Sequence, residues 1–119
     1  MSGERDPGCL FCQIVRRERP AKILFETDQL LAFDDVRPQA PAHVLVIPKD
    51  HIASLNDAPD GSEKLLGEVL FAARRVAHEM GIDGTGYRIV LNTGPDSGQA
   101  VFHIHFHVLG GRHLHWPPG

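Results

Sequence analysis

Two hydrophobic periods divide the chain. Over residues 62–80, Leu65, Leu66, Val69, Leu70, Ala73, Val76, Ala77 and Met80 recur at three- and four-residue spacing, which predicts one long amphipathic helix. Asp60 or Ser62 stands where an N-cap belongs, and Gly81 where the helix ends. His78 falls among charged neighbours on that helix and reads as surface. A shorter helical pattern covers residues 8–18, with Leu10, Ile14 and Phe11 inward and Pro20 as the stop.

Elsewhere the apolar residues come in short strand-like runs. Lys22–Glu26 and Leu30–Asp34 flank Thr27-Asp28-Gln29 and read as a hairpin. Asp35 to Ala42, with Pro38 and Pro41, is a loop. The run from His43 to Pro48 is apolar without alternation, as expected of a central strand covered on both faces. Tyr87–Leu91 is a further strand, Asn92–Gly98 a turn-rich loop, and residues 103–109 a last strand. Residues 1–7 are expected to be a disordered lead to a single domain over 8–119, whose tail (His113-Leu-His-Trp-Pro-Pro-Gly119) cannot be helical. Trp116 in that tail either packs on the domain or reaches a partner subunit. The order predicts an α+β domain: a five-stranded antiparallel meander, one long helix on one face, and a short N-terminal helix. Exposed sheet edges make a homodimer plausible.

Composition narrows the classes. With 119 residues, 42% hydrophobic and a net charge of −3, the chain suits a small globular domain and lacks the basic face that nucleic-acid binding requires. No apolar run approaches the roughly 20 residues of a membrane span, and no hydrophobic signal core precedes Cys9, so the expected location is cytoplasmic. In that setting Cys9 and Cys12, as Cys-x-x-Cys, suggest metal or redox chemistry, and the motif by itself is half a zinc site.

The candidate chemistry lies in His103-Ile-His-Phe-His-Val-Leu109, where three of the chain's eight histidines fall within five residues. On a strand, positions i and i+2 share a face roughly 6.7 Å apart, so the imidazoles can converge on one ligand while Ile104 and Phe106 enter the core. Two chemistries suit this pattern: metal ligation, or nucleophilic attack by one imidazole on phosphorus. Phosphorus chemistry also needs donors for the non-bridging oxygens, which flanking histidines and the backbone N–H groups of Gly98, Gln99 and Ala100 could supply.

The alternating histidine signature resembles that of the histidine-triad (HIT) family of nucleotide hydrolases and transferases. Within it, the chain resembles the Hint-like branch through Ile14–Ala21 with Lys22-Ile-Leu-Phe-Glu, Phe33–Lys49, Gly98-Gln99 and Gly110-Gly-Arg112 followed by His115-Trp-Pro-Pro-Gly119. The resemblance runs from Cys9 onward and implies a homodimeric purine nucleoside phosphoramidase acting on AMP- or GMP-amidates, with no cofactor needed for catalysis. It implies that His105 attacks the α-phosphorus, and that His107 and His43 form a hydrogen-bond chain fixing the tautomer of the nucleophile. Asp35 would hold the ribose hydroxyls. Phe33 and Val36, with Ile14 and Leu45, would line the purine slot, and Asn92, Gly98, Gln99 and Ala100 would face the ribose and phosphate. Zinc-carrying members of the superfamily imply a structural Cys2His2 zinc at Cys9, Cys12, His51 and His103. His113 and His115 read as surface. Two positions depart from the pattern: Ala100 replaces a usual Ser, and Asp34 stands where animal relatives often carry His. Hydrolysis of dinucleoside polyphosphates, or a non-catalytic nucleotide- or zinc-binding module, are the alternative functions.

Overall fold

The computed structural model describes residues 6–119; the first five positions of the lead lie outside the described residues. Asp6 and Pro7 are hydrogen-bonded rather than loose: Asp6 accepts from Cys9 N–H through its carbonyl and from Gly8 N–H through Oδ1, and Gln13 Nε2 donates to the Pro7 carbonyl. The elements are α1 (Leu10–Val15), β1 (Ile23–Glu26), β2 (Leu30–Asp34), β3 (Ala42–Pro48), α2 (Glu63–Glu79), β4 (Tyr87–Leu91) and β5 (Phe106–Gly110). Single 3-10 turns lie at Leu55–Asp57 and Pro95–Ser97.

Both helices end by the same device. In α1, Arg17 N–H returns to Ile14 and Glu18 N–H to Gln13; in α2, Gly81 returns to His78 and Ile82 to Ala77. These are Schellman turns. Gly81 (φ 71°) takes the left-handed position as expected, but in α1 a non-glycine, Arg17 (φ 64°), does so, three residues before Pro20. Ser62 occupies the N-cap position of α2 without bonding its side chain to the helix; its hydroxyl donates to the Pro59 carbonyl instead.

The five strands form one antiparallel sheet in the order β1-β2-β3-β5-β4. The expected meander is therefore corrected at one point: β5 lies between β3 and β4. Since both are antiparallel to β5, β3 and β4 run parallel to each other. Parallel strands need a long crossover, and α2 supplies it.

Alternation along β2 and β3 sorts side chains between two layers. Leu30, Ala32, Ala42, Val44 and Val46 face α2, which presents Val69, Ala72, Ala73, Val76 and Ala77. Leu31, Phe33, Leu45 and Ile47 face the other way, against Phe11, Cys12 and Ile14 of α1. Cover on both faces explains the unbroken apolar run of β3, all seven residues of which are buried. Ile104, Phe106 and Val108 join the α2 layer, leaving the histidines between them on the α1 side.

Several expectations shift in boundary or face. Ala42 belongs to β3 rather than to the preceding loop, and Leu10 and Leu70 are turned toward solvent while Ala72 takes a core place. The strand expected over 103–109 begins only at Phe106. Replacing the fully buried Ile47 by Ala should cost about 3 kcal/mol, from lost transfer energy plus the residual cavity. Leu70→Ala, on the exposed side of α2, should stay within about 0.5 kcal/mol of wild type. Urea unfolding of both variants checks the assignment, and equal losses would contradict it.

Candidate functional site

The α1 face of the sheet carries the histidines because of strand register. Leu45 pairs with His107 and His43 with Leu109, so His43 and His107 are diagonal neighbours on adjacent strands. Their rings meet with His43 Nε2 2.9 Å from His107 Nδ1. Asp35, just beyond the end of β2, brings Oδ2 to 3.3 Å from His43 Nε2 and 4.0 Å from His107 Nδ1, while its Oδ1 accepts from Arg37 N–H.

Hydrogen-bond donors assign the tautomers. Gln39 N–H donates to His43 Nδ1 at 3.0 Å, so neutral His43 carries its proton on Nε2. That proton lies between His107 Nδ1 and Asp35 Oδ2. With Nδ1 accepting, His107 holds its own proton on Nε2. His105 is set separately: its Nδ1–H donates to the His103 carbonyl at 2.7 Å, which leaves the lone pair on Nε2. The chain from His43 to His107 therefore does not fix the tautomer of His105, as the resemblance implied; a backbone carbonyl does. Edge-on contact with Phe11, at 5.2 Å between centroids, holds the His105 ring from the α1 side.

Burial sets the charge state. It lowers the pKa of His43 and of His105 from the ordinary imidazole value, against the opposing pull of Asp35 and, for His105, of the carbonyl acceptor. His107 is pushed down to about 4, first by burial and then by His105 and His43, with Asp35 alone acting upward. Near neutrality the three rings are thus a neutral, directional set with one imidazole nitrogen presented as a nucleophile or base and another as a donor.

These rings floor a cleft of about 680 Å³ whose lining also includes Phe33, Asp35, Ile14 and Leu45. Val36 and Ala100 reach it from the rim, Val36 with 88% of its surface exposed. Asn92, Gly98 and Gln99 do not line it. Gln99 is buried, and its amide is committed to loop structure: Nε2 donates to the Ala53 and Val101 carbonyls, and Oε1 accepts from Gly94 N–H. Phe11, Arg37 and Gln39 are part of the cleft wall without having been singled out as site residues. Phe11 was legible as a helix residue between the two cysteines. Gln39 acts through its backbone N–H, for which a sequence carries no signal.

Behind the cleft, Cys9, Cys12, His51 and His103 do come together, their ligand atoms within 4.8 Å of one another. Cys9 Sγ lies 3.4 Å from His103 Nδ1, and Cys12 Sγ lies 3.4 Å from His51 Nδ1 and 3.6 Å from His103 Nδ1. A tetrahedral zinc with ordinary Zn–S and Zn–N bonds sets sulfur and nitrogen about 3.6 Å apart, so the cluster fits. His103 is also in the right tautomer, because its Nε2–H donates to the Pro48 carbonyl at 2.8 Å and Nδ1 faces the sulfurs. Burial pushes the Cys12 thiol up to about 11, a penalty that a bound cation would reverse. Asp35, His43 and His107 form a second group close enough for a cation. It fits poorly: ligation at His43 Nε2 would require a proton on Nδ1, where Gln39 N–H already points.

An antiparallel five-stranded sheet backed by one long helix, with alternating histidines gathered over the opposite face, defines a histidine-triad domain. The HIT domain family matches residues 16–114, and the chain belongs to that family. It is 53% identical over 110 residues to an uncharacterized HIT-like protein of Synechococcus elongatus, covering 92% of this chain and 96% of that one. It is 43% identical over 116 residues to the 14 kDa zinc-binding protein of Zea mays, covering 96% and 90%. Among solved structures, a HIT family hydrolase from Legionella pneumophila superposes with a TM-score of 0.92 at 50% identity, covering 94% of this chain and all of that one. A histidine triad nucleotide-binding protein from Candida albicans gives 0.79 at 34% identity, covering 92% and 83%. Among the described residues, no helix is long and apolar enough to cross a membrane.

The His107 ring offers a direct check on the electrostatics. Its titration by NMR should show a midpoint well below 6.5, near 4. Asp35→Asn should lower it further, because Asp35 is the group that favours the imidazolium. A midpoint at or above 6.5 would mean that the cleft does not desolvate the ring.

Proposed function

We propose that this protein is a nucleotide hydrolase of the Hint-like branch, cleaving the P–N bond of purine nucleoside 5′-phosphoramidates through a nucleotidyl-His105 intermediate. The observation that carries the reading is His105 itself: Nδ1–H is held by a carbonyl, so the Nε2 lone pair is available to a substrate in an apolar cleft. The Legionella relative's description as a hydrolase and the Candida relative's as nucleotide-binding support the same assignment.

In the first step His105 Nε2 bonds to the α-phosphorus as the P–N bond breaks, its electron pair leaving with the amine, which takes a proton from water. In the second, a water oxygen bonds to phosphorus and the P–Nε2 bond breaks, returning the pair to the imidazole and releasing a proton. His107 Nε2–H donates to a non-bridging oxygen in both steps, and His43 keeps that proton in place by donating to His107 Nδ1. Phe33, Ile14 and Leu45 pack the purine, and Asp35 accepts from the ribose hydroxyls. One observation favours a second reading. Ala100 offers no hydroxyl to the leaving group, which suits departing phosphate better than a departing amine, so dinucleoside polyphosphates are the alternative substrates.

Cys9, Cys12, His51 and His103 would hold a structural zinc, a reading supported by the zinc-binding Zea mays relative and by the tetrahedral spacing of the donors. A saturated Cys2His2 set would stiffen α1 and the segment before β5 without offering an open position for chemistry. A homodimer in the cytoplasm completes the proposal, with Trp116, 80% exposed on its own protomer, reaching the partner.

Hydrolysis of an adenosine phosphoramidate should fall by ~10³-fold or more in His105→Ala and survive in His113→Ala. Wild-type protein that binds AMP yet turns over neither the amidate nor a dinucleoside polyphosphate would defeat the enzymatic reading. Purified protein should contain one zinc per chain, and Cys12→Ser should lose the metal and melt at a lower temperature. Full stability of that variant without metal would remove the structural role.

A further inference from the structure

We propose that Arg112 is a positioning residue for the histidine chain, acting through the backbone of Gln39. The inference rests on the hydrolase reading for its catalytic consequence, while its structural content stands on hydrogen bonds that involve no substrate.

Strand register brings the two segments together. Ala42 at the start of β3 pairs with Gly110 at the end of β5, so the loop entering β3 and the chain leaving β5 emerge side by side. Gly111 allows them to touch: it takes φ 92°, and a Cβ there would sit 3.0 Å from Pro41 Cβ. The next residue turns its guanidinium onto the loop. Arg112 Nε and Nη2 both donate to the Gln39 carbonyl, at 3.0 and 2.9 Å, and Nη1 donates to the His113 carbonyl at 2.9 Å.

Gln39 is thereby held at its carbonyl while its N–H meets His43 Nδ1 at 3.0 Å. That N–H, together with the Asp35 carboxylate 3.3 Å from Nε2, sets which His43 nitrogen carries the proton. With the proton on Nε2, His43 donates to His107 Nδ1, and His107 must present Nε2–H to the cleft. Were His43 to take the other tautomer, its Nδ1–H would oppose Gln39 N–H, and the 2.9 Å contact could be kept only by His107 moving its proton to Nδ1, which would take the Nε2–H away from the cleft. Loop residues 36–39 are exposed, and Pro38 and Pro41 lack N–H groups that could otherwise anchor the loop; Gln39 Nε2 donates within the loop to the Arg37 carbonyl at 3.1 Å, and the Arg112 fork ties Gln39 to the chain leaving β5. A two-pronged contact from a planar guanidinium restrains both distance and direction, which a lysine ammonium does not. The contact to His113 joins the C-terminal tail to the same restraint.

The test is the His43 tautomer, read from ¹⁵N imidazole shifts in full-length protein, alongside kcat and KM. Wild type should show only the Nε2–H form. Arg112→Gln and Arg112→Lys should each show a mixture with the Nδ1–H form, with kcat reduced ~10- to 100-fold and KM changed less than about threefold. Lysine keeps the charge but not the fork, so a folded Arg112→Lys decides the matter if Arg112→Gln does not fold. A pure Nε2–H signal in the folded variants overturns the proposal, even if activity falls. The tautomer readout needs no substrate, so it stands or fails separately from the hydrolase assignment.

Discussion

The central strand β3 is covered on both faces, and that double cover is the constraint from which the site follows. Its even-numbered side chains must satisfy the α2 layer, leaving His43, Leu45 and Ile47 on the side of α1. A slip of one residue would exchange the two sets and bury His43 against a helix that offers it no polar partner. The buried apolar residues therefore hold the imidazoles in register: Val44 and Val46 beneath α2 are the reason that His43 meets His107 and Leu45 lies beside it. A site built on a strand locked in this way needs little adjustment from its loops.

Placing so many imidazoles in a low-dielectric region demands that each ring nitrogen be accounted for. Among the described residues, no buried side-chain nitrogen or oxygen lacks a hydrogen-bond partner. The solution is directional. Backbone groups enter from the outside (Gln39 N–H, the His103 and Pro48 carbonyls) and leave each ring with one defined nitrogen facing inward. The same rule distinguishes the two groups that could attract a cation. His103 is held with Nδ1 toward two sulfurs, as a ligand should be, whereas His43 is held as a link between neighbours.

The sequence was most legible where periodicity and burial coincide. The residues of α2, the hairpin and β3 follow from apolar spacing, and the Cys9, Cys12, His51 and His103 cluster followed from the resemblance. Order in the sheet was less legible, because short segments favour a meander until the 38 residues between β3 and β4 are recognised as a crossover. Helix faces drifted at Leu10 and Leu70, where an apolar residue fits the period but projects past the edge of the layer. Contacts made by backbone groups, such as Gln39 to His43, were invisible, since any residue but proline could supply them. Gln99 shows the converse: a side chain suited to a nucleotide is consumed in holding its own loop.

The most informative departure lies within the signature itself. Continuing β5 back to His103 would engage the backbone of 103–105 in the sheet ladder. Instead the ladder stops at Phe106, Ile104 N–H pairs with the Ile52 carbonyl at 2.6 Å, and the His103 carbonyl turns to the His105 ring. The alternation of faces survives, so Ile104 still enters the α2 layer. Leaving the ladder is what gives His103 two functions at once: its ring joins the cysteine cluster while its carbonyl orients the neighbouring imidazole. Strand propensity yields here because a regular strand would leave the His105 proton without this acceptor, and a buried imidazole with both tautomers open would be a poor nucleophile.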